Sequence, residues 1–435
     1  MLVLLALAAC TSPADPAVAD PADTSDTSDP AVPTVPVPDL ADVLGDCDGR
    51  FVTPTEYPNQ LARGDDLHRL ELTDPGAVCN DGTPAVLYVR GASDPTHAGD
   101  WVLHLQGGSH CTTFEDCEVR WCGAGFYDAS KMSSTWTPDA IAGAGIFSQD
   151  PANGFAGWNH AFFYYCSSDV WQGKGGATLT AGDGSPVRIE RAGHDILEAG
   201  LAVLEEGAAS DDGAATLPSI LDASLVLFTG TSGGSVGAQM HLDWLRERWP
   251  AEIGLLGVFD AALNPDPAFV PPAVAALLDA NAAAEQGVIA ADADEPMFGD
   301  ASCLSAVGPE DVWQCTNSSR LPYLWITTPF LARMDLKDPP TGDVYQAAGA
   351  TPAEFSDAVA ASLDAIAARE IGGRTGGAYG PACGEHLGLE VDPWFLAHPI
   401  VTPTVTHTLE TAIAAYIQGD SVSAVDAEQD ASRCR

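Results

Sequence analysis

The sequence predicts an α/β fold, a mostly parallel sheet flanked by helices, and three observations carry that expectation. The first is the stretch Leu225-Val226-Leu227-Phe228-Thr229-Gly230-Thr231-Ser232-Gly233-Gly234. Its apolar, β-branched start passes through Gly-Thr-Ser-Gly-Gly into Val236, Met240 and Leu245 at helical spacing, so it reads as strand, tight turn, helix. The second is alternation: a helical pattern over 193–204 precedes this unit and an apolar strand pattern over 254–260 comes after it, as in a parallel sheet. The third is size. A chain of 435 residues, 46% hydrophobic, has ample material for one large core.

The other elements come in chain order. Ala85 to Arg90 and Trp101 to Gln106 read as strands around a polar turn at Gly91 to Asp100, a hairpin candidate. Ala161 to Cys166 is apolar enough for a buried strand; Asp169 and Trp171 after it either line a site or belong to a loop capping the strand. Ile196, Leu197, Leu201 and Leu204 define a helix expected to pack behind the 225–231 strand. Gly254 to Asp260 is the next strand, with an acid at its carboxyl end. From about 264 to 320 the rhythm breaks: Pro265 to Pro272, an Ala-rich helix around Ala273 to Ala291, and Cys303 and Cys315 suggest an inserted cap stapled by that pair. Tyr323 to Thr328 has strand character, with Phe330 to Asp335 leading out of it. Phe355 to Ile371 reads as an amphipathic helix, with glycines, Cys383 and His386 after it.

Composition excludes some functions. Lys and Arg number 18 against 61 acidic residues, a net charge of -43, which repels phosphate backbones and anionic lipid surfaces. Nucleic acid is therefore not an expected partner. Met1 to Cys10 is a short apolar run ending in Leu7-Ala8-Ala9-Cys10, which looks like a bacterial lipobox and marks Cys10 for lipidation. Residues 11–46 are Pro, Ala, Asp, Thr and Ser with few bulky apolar side chains, the composition of a disordered tether. The expected organisation is thus a signal over 1–10, a tether over 11–46 and a folded domain over 47–435. Membrane contact is expected only through the lipid, at a bacterial cell envelope, with secretion as the other route of export. Ten cysteines remain after Cys10, an even set that reads as structural disulfides in an exported protein; no paired C-x-x-C modules support zinc.

The chemistry centres on Gly230-Thr231-Ser232-Gly233-Gly234. A serine on a strained strand-to-helix turn is exposed for attack, and flanking glycines admit close backbone approach. Gly107-Gly108-Ser109-His110, leaving a strand early in the chain, stands where serine hydrolases of α/β type keep backbone N–H groups for an oxyanion. A serine nucleophile needs a base and an orienting acid, in chain order Ser, Asp or Glu, His. Of His241, His386, His398 and His407, the first falls inside the helix after the turn, and His386 in its loop beside Cys383 is favoured. For the acid, Asp260, Asp335 and Asp338 all remain open on spacing.

Together the segments Ala77-Val78-Cys79-Asn80-Asp81-Gly82-Thr83-Pro84, Trp101 to Cys111, Tyr165-Cys166-Ser167-Ser168-Asp169-Val170-Trp171, the serine turn, Phe259-Asp260-Ala261 and Ala382-Cys383 to His386 resemble the pectin acetylesterase and Notum family of secreted carboxylesterases. The resemblance runs from about residue 45 to 400. It implies an α/β-hydrolase fold with Ser232 as nucleophile, Asp335 as orienting acid and His386 as base. It also implies an oxyanion hole from the N–H groups of Gly108 or Ser109 with Gly233, a structural Asp260, and no cofactor or metal. Gln106 to His110 departs from the family pattern, which carries Glu-Gly-Gly followed by Gly or Trp and an aromatic, and this is expected to change pocket polarity. The implied function is an exported serine ester hydrolase, monomeric, acting on ester groups such as O-acetyl on an acylated polysaccharide. The alternative is a non-catalytic surface lipoprotein using the same fold to bind carbohydrate or a partner; a serine peptidase is the weaker third idea.

Overall fold

In the computed structural model, residues 44, 47, 51–54, 62–401, 406–426 and 434 are described. Cys10, the expected signal and nearly all of the expected tether lie outside the described residues. Among the described residues ten strands form one sheet: β1 (Arg63–Glu71), β2 (Val86–Arg90), β3 (Asp100–Leu105), β4 (Ala140–Ile141), β5 (Asn159–Phe163), β6 (Leu225–Thr231), β7 (Gly254–Asp260), β8 (Phe330–Arg333), β9 (Gly377–Gly380) and β10 (Ser423–Val425). Their spatial order is β10-β9-β8-β7-β6-β3-β5-β2-β1-β4. From β10 to β5 every pairing is parallel. β2, β1 and β4 then add antiparallel.

The strand carrying the serine turn lies inside this sheet, between β3 and β7, in register Phe228↔Leu103 and Phe228↔Gly257. Both its faces are covered, and all but its first residue are buried, which is why its sequence is continuously apolar rather than alternating. The expected β2–β3 hairpin is not formed. β5 inserts between them, antiparallel to β2 through Leu87↔Phe163 and parallel to β3 through Leu103↔Ala161. With all five residues buried, β5 takes the interior position that a hairpin would have closed.

Helices cover the sheet. α1 (Phe114–Trp121) starts at a capping box of Thr113 and Asp116. α2 (Gly193–Glu206) packs its Gly200 against Phe163 of β5 and Leu87 of β2, so it covers those strands rather than the back of β6 as expected. The helix after the serine turn, α3 (Gly233–Arg248), packs on the sheet instead, its Leu242 against Gly257 of β7. α4 (Pro272–Asp292) is the Ala-rich helix of the segment expected as a cap; only Val274 and Ile289 on it are buried. α5 (Ala301–Ala306) is tied to the 3-10 segment after it by Cys303–Cys315. The expected strand over Tyr323 to Thr328 is instead a single helical turn, Leu321–Leu324, with Pro322 in its first turn. The N–H groups of Thr327 and Thr328 then donate to the Asp243 carboxylate, at 2.8 Å each, and strand pairing begins only at Phe330.

Ten cysteines pair as Cys47–Cys122, Cys79–Cys166, Cys111–Cys117, Cys303–Cys315 and Cys383–Cys434. Such a set persists in an oxidising compartment and fits export. Among the described residues no helix is long and apolar enough to cross a membrane.

Candidate active site

Ser232 sits between β6 and α3 at φ 54° and ψ -124°, a conformation sparsely populated by L residues. Its N–H donates to the Asp260 carbonyl at 2.9 Å, which ties the turn to the end of β7. Gly230 and Gly234 make the bend feasible. A Cβ on Gly230 would strike the Gly234 backbone, and one on Gly234 would strike the Leu105 carbonyl. The serine itself remains partly exposed.

His386 comes to this serine from a loop after β9, across 154 positions of sequence: its Nε2 is 2.9 Å from Ser232 Oγ. Its Nδ1 is 2.7 Å from Oδ2 of Asp338, whose carboxylate is fully buried. In the tautomer that gives Nδ1–H to Asp338, the other nitrogen is free to accept the serine proton. Asp335, implied by the resemblance, is not the partner. It faces back into the fold, accepting from Arg333 Nη2 and, at 2.7 Å, from the Glu385 N–H. Asp338 lies three residues on, where the chain turns into α6 (Pro339–Ala347). Its Oδ1 caps that helix through the Thr341 N–H at 3.0 Å, leaving Oδ2 for the histidine.

What Asp335 and Asp260 do is hold the histidine loop. Arg333 is buried between them. Its Nη1 donates to Asp260 Oδ1 and to the His386 carbonyl, both at 2.8 Å, and its Nη2 reaches the Glu385 carbonyl at 3.2 Å. Asp260 Oδ2 accepts from the N–H groups of Gly388 and Leu389 at 2.8 and 2.7 Å. The two carboxylates keep the guanidinium charged. Burial pushes Asp335 up, to about 7, against the pull of Arg333 and the Glu385 N–H. A structural Asp260 was expected; Arg333 gave no signal in the sequence.

The three residues expected to supply oxyanion donors lie side by side. The point where a Cβ on Gly233 would stand is 3.2 Å from the Ser109 nitrogen and 3.6 Å from that of Gly108. Gly108 and Ser109 have φ of 156° and 55°. Gln106, expected to alter the pocket, is buried; its Oε1 accepts from the Tyr165 N–H at 3.0 Å and its carbonyl from Trp171 Nε1 at 3.1 Å. Gln106 therefore supports the loop from inside the fold. His110 bonds through Nε2 to Glu285 of α4.

The loop after β5 is strained, with positive φ at Ser168, Val170 and Trp171. Asp169 holds it, accepting from Ser167 Oγ and from the N–H groups of Trp171, Gly173 and Gly193. It is a loop-forming residue, not a site carboxylate. His241 is buried in α3 against His194, Nε2 to Nδ1 at 3.0 Å, away from the serine. Among the described residues no group of His, Cys, Asp and Glu is arranged to hold a metal ion.

Serine hydroxyl, imidazole and carboxylate thus stand within hydrogen-bond reach of one another, in a chain whose sequence has relatives. The pectinacetylesterase family model matches residues 65–267. The inactive palmitoleoyl-protein carboxylesterase notum1b of Danio rerio is 34% identical over 123 residues, covering 27% of this chain and 82% of that protein. The chain belongs to the pectinacetylesterase and Notum family. Palmitoleoyl-protein carboxylesterase notum1' of Xenopus laevis is 31% identical over 216 residues, covering 47% of this chain and 39% of that protein. Against the longer curated members, this pectinacetylesterase/Notum chain spans 31–42% of their length. The solved structure of the Wnt deacylase Notum from Drosophila aligns at TM-score 0.63 with 22% identity, covering 83% of this chain and 97% of that one. That likeness shows the fold: the α/β-hydrolase-like architecture expected from the sequence.

Proposed function

We propose that this pectinacetylesterase/Notum family member is a serine carboxylesterase. The observation that carries the reading is the continuous relay from Ser232 Oγ through both nitrogens of His386 to Asp338. Ser232 attacks the ester carbonyl while His386 Nε2 takes its proton, and Asp338 fixes the imidazole and stabilises its cation. The oxygen of the tetrahedral intermediate is received by the N–H groups of Gly233 and of Gly108 or Ser109. His386 returns the proton to the leaving alcohol, and water then attacks the acyl-Ser232 ester with His386 again as base. The substrate proposed is an O-acetyl ester on a polysaccharide; a longer acyl chain on a protein is the chemistry named for the Xenopus relative. An acyl-chain-length series on p-nitrophenyl esters tests this, with acetate expected to give the highest kcat/KM and a maximum at long chains overturning the acetyl assignment.

The disulfides support export, and we propose Cys10 as the lipidated residue after signal removal. Cys10→Ala is expected to abolish incorporation of radiolabelled palmitate during bacterial expression; undiminished label would contradict it. A second reading, a binding protein without catalysis, draws on the zebrafish relative named inactive. A fluorophosphonate probe discriminates: labelling mapped to Ser232 favours the esterase, and an unlabelled folded protein favours the binder.

A further inference from the structure

Behind the Gly107–Ser109 loop lies a lysine that the mechanism above does not use. Lys131 ends a short 3-10 turn, Ala129–Lys131, and is only 3% exposed. Its backbone is pinned: Tyr164 Oη donates to the Ser130 carbonyl and Ser168 Oγ to the carbonyl of Lys131 itself at 3.3 Å. Its Nζ donates to the Gly107 carbonyl at 2.7 Å. Two residues further on, Tyr165 Oη donates to the Ser109 carbonyl at 2.7 Å and accepts from the Val170 N–H at the same distance.

A trans peptide directs its C=O and N–H to opposite sides. Holding the Gly107 carbonyl toward Lys131 therefore aims the Gly108 N–H away from Lys131. Holding the Ser109 carbonyl at Tyr165 fixes the far end, so the peptide between, which carries the Ser109 N–H, is clamped from both sides. Both nitrogens then lie beside Gly233, within 3.6 Å of where its Cβ would be. A hydrogen bond accepted by the Gly107 carbonyl also polarises the Gly107–Gly108 amide, which strengthens its N–H as a donor to an oxyanion. The lysine stem fills the space a Gly108 side chain would need: its Cδ and Cε are 3.0 Å from that Cβ position.

We propose that Lys131 is a positioning residue for oxyanion stabilisation, acting through the Gly107–Gly108 peptide with Tyr165 as the second strut. It touches no reacting atom. Glu390 supplies a countercharge near Lys131, while its Oε1 lies 3.0 Å from His104 Nε2. Burial pushes the Lys131 ammonium well below the usual lysine range; Glu390 and Asp128 oppose that push and Arg120 adds to it.

The inference rests on the esterase reading, and two variants test it with kcat expressed per fluorophosphonate-titrated site. Lys131→Met is expected to lower kcat about ten- to a hundredfold with KM changed less than about threefold. Affinity for a trifluoromethyl ketone, whose hemiketal oxygen takes the oxyanion position, should fall by the same factor as kcat/KM. Tyr165→Phe is expected to give the same split at about three- to tenfold, and it decides the matter if Lys131→Met does not fold. Unchanged kcat per site and unchanged ketone affinity in the folded variants, with only melting temperature lowered, would make both residues structural and overturn the proposal. If Ser232→Ala is inactive while Lys131→Met turns over normally, the struts fail and the esterase stands; an active Ser232→Ala removes the esterase reading itself.

Discussion

Asp338 accepts from His386 Nδ1 at 2.7 Å while its other oxygen caps the first turn of α6. One buried carboxylate thus joins a helix start to the imidazole that faces Ser232. Asp335, three residues earlier, belongs instead to the Arg333 cluster that suspends the same loop by its backbone.

That division of labour separates two variants. Asp338→Asn is expected to lower kcat by about 10³- to 10⁴-fold, because the amide favours the wrong imidazole tautomer. Asp335→Asn is expected to cost about 1–2 kcal/mol of stability, because the amide oxygen can replace only one of the two acceptors that serve Arg333 Nη2 and the Glu385 N–H, with kcat per active site changed far less. Steady-state kinetics with active-site titration, alongside urea unfolding, would read both.

Helix α4 should respond to acid. The hydrogen bond from His110 holds the Glu285 carboxyl below the usual glutamate range. A carboxyl lowered in the folded state contributes stability above its unfolded pKa and loses it as pH falls through the folded one. Amide exchange in α4 is therefore expected to quicken below about pH 4 relative to the rest of the fold, and Glu285→Gln should remove the difference.

Two glycines in comparable helical settings should behave oppositely. Gly287, in α4, is exposed with nothing within 4 Å of a Cβ, so Gly287→Ala is expected to stabilise by about 1 kcal/mol. Gly234→Ala would drive a methyl into the Leu105 carbonyl and is expected to prevent accumulation of folded protein. Thermal melts and soluble yield check the pair.

The Cys303–Cys315 bridge spans a sequence separation of 12. Replacing both cysteines by serine is expected to cost about 3 kcal/mol locally, exposing residues 300–316 to limited proteolysis. Turnover of a small acetate ester should survive, since neither residue touches the relay.

Where a segment's own chemistry decided its structure, the sequence was legible. The apolar run at 225–231, the glycines around Ser232 and the helical spacing beyond them correspond to β6, the bend and α3. Tyr323 to Thr328 misled because aromatic and β-branched content suits a strand, while Pro322 and the distant Asp243 impose a turn. The neighbour of β3 was hidden for a similar reason: β5, some sixty residues on, outcompetes the local hairpin. Asp338 did carry a local sign, Asp-Pro-Pro-Thr at a helix start. Which of two carboxylates three residues apart meets the histidine depends on Arg333 claiming the other, a contact no spacing encodes. Lys131 was invisible because a lysine in a polar stretch gives no hint of burial.

The most direct test of a nucleophilic Ser232 is the turnover of p-nitrophenyl acetate by Ser232→Ala beside wild type, both shown to be folded by their melting curves. The relay predicts a loss of about 10⁴- to 10⁶-fold in kcat, down to the background expected without a nucleophile. Turnover within about tenfold of wild type would contradict it.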